Sequence, residues 1–107
     1  MKFPVLIIKK NEAPLYYFEA EDFGLVSKGG ETFYENGMIF DSGGSKFLIN
    51  DIDSIRKAPL LKSIRYFQQM YIANVKYLFV EQLPILEFKQ LIVDHIYSFE
   101  NYWIKKI

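Results

Sequence analysis

Cysteine is absent from the 107 residues, which removes disulfides, thiolate nucleophiles and cysteine-ligated metal together. Histidine occurs once, at His95, so a serine-histidine-aspartate arrangement would have to be built on that single ring. No apolar run approaches the ~20 residues that a membrane-crossing helix needs, so no membrane is expected as a partner. The run Phe3–Ile8 is short, is stopped by Lys9 and Lys10, and precedes no small-residue cleavage site, unlike a signal peptide. Net charge is also lacking, with 13 Lys and Arg against 13 Asp and Glu. Phosphate binding needs a clustered basic footprint, so nucleic acid is not expected either. These absences lead us to expect a soluble, cytoplasmic chain without metal or cofactor.

What is present points to a packed core. Half of the residues are hydrophobic and 18% are aromatic, which excludes disorder and suits one domain over residues 1–107. The rings by themselves imply no ligand, because Phe, Tyr, Ile, Lys and Asn rise together, as in proteins from AT-rich genomes. Charge is unevenly spread. Residues 1–10 carry three lysines, residues 11–55 carry nine acids against Lys28 and Lys46, and residues 56–107 carry eight bases against four acids. The acidic middle could attract a basic partner.

Residues 1–82 read as mainly β. Phe3–Lys9 is a continuous apolar run with β-branched members, suited to a strand buried on both faces. Residues 11–14 read as its turn, 15–19 as a second strand and 23–27 as a short third. Asn36-Gly37 tolerates positive φ, so Thr32–Glu35 and Met38–Asp41 are expected to form a hairpin around it. Asp41-Ser42-Gly43-Gly44-Ser45 turns the chain into Lys46–Ile49. Asp51–Arg56 is open between a strand and a capped helical turn. Leu60, Ile64, Phe67 and Tyr71 have helical spacing, yet Ile64 to Ile72 also alternates; strand is slightly favoured through Val80, with a turn at Ala73-Asn74.

Residues 84–107 read as one amphipathic helix opened by Pro84, with Glu87 in the first turn and Lys105 and Lys106 in the last. At about 100° per residue, Ile85, Phe88, Leu91, Ile92, Ile96, Phe99, Tyr102 and Trp103 fall in one arc. The expected class is therefore α+β: an antiparallel meander or partly closed roll of about six to seven short strands, covered by one long C-terminal helix. This order of elements is similar to that of pleckstrin-homology-like rolls, whose bacterial members the stretch from Gly37 to Arg56 resembles.

Each candidate site competes with a plainer role. His95 falls inside the apolar arc, where a core histidine is the simpler account. Asp51 and Asp53 could offer oxygens to a hard cation, but turn and capping duty explains two acids as well. The loop Asp41–Ser45 has phosphate-cradle glycines without the lysine of a P-loop, and a hairpin connection fits better. Glu19, Glu21, Asp22, Glu31 and Glu35, with Tyr16, Tyr17 and Tyr34 nearby, could form an acidic, tyrosine-studded contact patch. The sharper feature is a second apolar stripe on the helix, Leu86, Val93, Tyr97 and Ile104, about 140–180° from the first. An ordinary surface helix would be polar there. The expected function is a non-enzymatic interaction module that binds a protein partner or itself, homodimer included, in the manner of immunity or antitoxin proteins. The alternative is a small ligand-binding domain or enzyme using a pocket near His95.

Overall fold

Strand β1 (Val5–Lys9) shows how the alternation of this sequence is used. Val5 and Ile7 are fully buried on one face of the sheet, while Ile8 and Leu6 pack on the other, so Val5–Ile8 is unbroken apolar sequence because both faces are covered. The computed structural model describes residues 1–9, 15–94 and 99–101. The expected turn at 11–14 lies outside them.

After β1 come β2 (Leu15–Phe18), β3 (Leu25–Val26), a 3-10 helix (Gly30–Tyr34), β4 (Gly37–Asp41), β5 (Ser45–Lys57), α1 (Leu60–Ile64), β6 (Tyr71–Gln82), α2 (Ile85–Asp94) and β7 (Phe99–Asn101). The sheet order is β3-β6-β5-β4-β1-β2-β7. Its first six strands pair antiparallel, and β7 joins β2 in parallel. The architecture is α+β, as expected. It is not a simple meander, because β1 pairs with β4 and β3 with β6.

The six-stranded antiparallel sheet curls around an inner core of Val5, Ile7, Phe18, Leu25, Val26, Tyr34, Ile39, Phe47 and Met70. On the outer face, α2 lays Phe88 and Leu91 over Ile8 and Phe40, with Leu83 beside them. Burial on both faces is the main favourable term, at roughly 25 cal/mol per Å² of apolar surface.

Four expectations are corrected. First, the terminal helix is not continuous from 84 to 107: α2 is described over Ile85–Asp94, and Phe99–Asn101 is strand. Aromatic residues favour a pleated surface, and β7 supplies hydrogen-bond partners to the edge of β2. Second, residues 32–35 do not form one arm of a hairpin. Asn36 has the anticipated positive φ of 61°, but the chain before it is the 3-10 helix. That coil buries Tyr34 completely, and its hydroxyl accepts the Gly24 N–H at 2.8 Å.

Third, residues 60–64 are helical rather than extended. Ser63 is buried there, and its Oγ accepts the Met70 N–H at 3.0 Å, tying the end of the coil to the start of β6. Fourth, no turn occurs at Ala73-Asn74. Ala73 is buried in a single 12-residue strand, and its N–H is held by the Gly24 carbonyl at 2.8 Å. The open reading at Asp51–Arg56 resolves as strand, within a 13-residue β5.

Candidate functional site

The Asp41–Ser45 loop is a hairpin connection between β4 and β5. The Asp41 carboxylate, only 4% exposed, accepts backbone N–H groups from Lys2 at 3.0 Å and from Gly43 and Ser45 at 2.9 Å each. Those bonds hold the turn shut and anchor the chain start. The glycines serve backbone geometry, with Gly44 at φ 83°. No step of chemistry is needed to explain this loop.

Asp51 and Asp53 stand exposed on β5. Asp51 accepts its neighbour Ile52 N–H at 2.8 Å, and Asp53 lies 3.9 Å from the Lys76 ammonium and 3.3 Å from the Asn74 amide. Among the described residues no three His, Cys, Asp or Glu side chains gather as a metal site would require. His95, Tyr97 and Ile104 lie outside the described residues, so the proposed pocket near His95 has no described geometry.

The acidic turn after β2 is more mixed than its sequence suggests. Tyr16 points into the core, 8% exposed, its ring edge-on to Phe33 at 4.9 Å. Tyr17 is half-buried, and its hydroxyl donates to Glu19, a bond that raises the phenol above its ordinary range. Glu21 is exposed, and its carbonyl accepts from Lys62 Nζ of α1 at 3.0 Å. Asp22 is half-buried and accepts the Tyr66 hydroxyl at 3.4 Å. Burial first, then Glu21, holds the Asp22 carboxyl above its usual range, against the pull of Arg65, Tyr66 and Lys62. Burial and Asp22 raise the Tyr66 phenol in turn. So Glu19, Glu21 and Asp22 share one turn, but Lys62 of α1 and Arg65 just after it offset its charge.

Leu86 and Val93 of the second helical stripe are 76% and 59% exposed on α2. Beside α2 lie two clefts. One of about 320 Å³ is lined by Lys46, Glu81, Glu87 and Leu91 among others. The other, of about 200 Å³, is lined by Pro4, Leu6, Phe40, Phe88 and Ile92. Neither gathers an acid, a base and a nucleophile in one place.

Further exposed apolar side chains lie where the sequence does not point to them. Leu48 and Leu78 stand opposite each other in the β5–β6 ladder, on the face they share with Met38, and both are exposed. Phe79 and Val80 are exposed as well. The signal lay in the unbroken run Tyr77–Val80, which reads as a strand meant to be covered on both faces. A separate apolar tip forms at α1, where Leu60, Leu61 and Ile64 face water and Phe67 is 96% exposed at φ 57°.

No helix among the described residues is long and apolar enough to cross a membrane. No protein-family model, no curated protein and no solved structure matches the chain.

Proposed function

We propose that this chain is a non-enzymatic protein-interaction module, acting by self-association or by binding a protein partner through the apolar outer side of α2. The supporting observation is the exposure of Leu86 and Val93 on a helix whose opposite side packs Phe88 and Leu91. Fully removing such side chains from water is worth roughly 1.5–3 kcal/mol each, against which the costs of association are set. Leu48 and Leu78 are further exposed apolar side chains, on the sheet face against which α2 packs.

An immunity- or antitoxin-like role, neutralising a basic enzyme in the cytoplasm, is the concrete form of this reading. The turn bearing Glu19, Glu21 and Asp22 supports it by its sign, and Lys62 and Arg65 weaken it by theirs. A partly closed, pleckstrin-homology-like roll is the scaffold assumed. The curl of the sheet around one core supports that, whereas the β1–β4 pairing departs from a sequential roll.

The test is sedimentation velocity and partner capture with Leu86→Asp combined with Val93→Asp. Loss of self-association, or of a basic protein that co-purifies with the wild type, is the expected result. Unchanged behaviour of the variant in both assays would remove this reading.

A further inference from the structure

One edge of the sheet is unfinished. β3 covers β6 only at Tyr71 and Ile72, and the Gly24 carbonyl then takes the Ala73 N–H. Beyond that point the backbone of β6 runs on to Gln82 with β5 on one side and no strand among the described residues on the other. Strand alternation fixes which groups are left. The Ala73 N–H points away from β5, so those of Val75, Tyr77 and Phe79 do too. The phase holds until Val80, where β6 carries an extra residue opposite Lys46–Phe47. Proteins usually blunt such edges with proline, charge or short length. Here the strand is 12 residues long, has no proline in it, and carries one lysine near its middle.

We propose that this edge is completed by β6 of a second copy of the chain, paired antiparallel across a two-fold axis at Tyr77. The proposal shares only self-association with the interaction reading above; it uses a second surface, the edge of β6, in place of the outer side of α2. Among two-fold registers, only this one uses all three free positions: Tyr77 pairs with Tyr77 of the other copy, and Val75 with Phe79 in both directions. Centring on Lys76 would set two lysines face to face and call on Ala73, whose N–H is already bound. Centring on Leu78 would pair Val75 with Glu81, beyond the extra residue and out of phase. In the chosen register each Lys76 lies opposite Leu78 of the other copy, on the outer face. Its aliphatic stem can cover that leucine while its ammonium stays in water. The inner-face rings of Tyr77 and Phe79 already stack edge-on against Phe47; Tyr77 then meets Tyr77 of the other copy across the axis, and Phe79 meets Val75.

The charge opposite Lys76 supplies the test, since Leu78 is 56% exposed and tolerates a polar replacement in the monomer. Light scattering after size exclusion, at protein concentrations from micromolar to millimolar, should give the wild type a mass rising toward twice 12.7 kDa. Leu78→Lys places lysine against lysine twice and should shift dissociation at least tenfold toward monomer. Leu78→Glu places glutamate against lysine and should leave the dimer intact. Lys76→Glu with Leu78→Lys should restore it, which separates lost pairing from lost folding. Equal loss in Leu78→Lys and Leu78→Glu, without rescue by the double variant, would overturn the proposed register. A dimer insensitive to every Leu78 variant but lost in Leu86→Asp with Val93→Asp would overturn edge pairing while leaving the interaction reading in place. A wild type that stays monomeric throughout would also overturn the pairing, and the interaction reading would then be decided by partner capture alone.

Discussion

Asp22 is the residue whose ionisation opposes the fold. It is held partly out of water next to Glu21, and Tyr66, Arg65 and Lys62 do not fully compensate. Its folded carboxyl therefore binds a proton more tightly than the unfolded one, and linkage sets the sign. The associated stability is fully present below the unfolded value, near 3.8, and is lost as pH rises through the higher folded value. Asp22→Asn keeps an acceptor for Tyr66 and removes the charge. We expect its melting temperature to exceed the wild type's at pH 7, with the difference closing as the buffer is taken below about pH 4. Much of the group still meets water, so the gain should be small and should shrink further in salt. Tyr34 shows the opposite use of a polar atom. Its ring fills the inner core and its hydroxyl satisfies the buried Gly24 N–H, leaving no orphan donor there.

Helix α2 is bound to the sheet by one side only. Phe88→Ala should destabilise the monomer by about 1.5–3 kcal/mol, since a half-buried ring leaves both lost burial and a gap. Leu86→Asp should change monomer stability by no more than about 0.5 kcal/mol. Urea denaturation at low protein concentration separates the two, and comparable losses would mean that α2 packs differently. The elements that were legible beforehand were those whose local pattern matched the way they are buried. Phe3–Lys9 announced a doubly covered strand, and Phe88 and Leu91 announced a helix face. The failures share a cause too. Thr32–Glu35 looks like a hairpin arm, but burial of the Tyr34 ring and hydroxyl selects a coil. Residues 97–103 have an arc at helical spacing and also strand-forming aromatics, and an open edge on β2 decides for strand at Phe99–Asn101.

At the scale of the whole molecule, two features belong together. The sheet buries β1 on both faces yet leaves Leu48, Leu78, Leu86 and Val93 in water and, among the described residues, no strand beside one edge of β6 beyond Ala73. The exposure of Leu86 and Val93 on α2 was legible in their helical spacing. The edge of β6 was not, because strand order depends on the long-range pairings β1–β4 and β3–β6, which local pattern does not encode. Amide hydrogen exchange tests the claim that another chain completes this edge. The N–H groups of Val75, Tyr77 and Phe79 should exchange quickly in dilute protein and slow markedly as concentration rises, while that of Leu78, facing β5, stays slow throughout. Fast exchange at Val75, Tyr77 and Phe79 at every concentration, beside a protected Leu78, would contradict it.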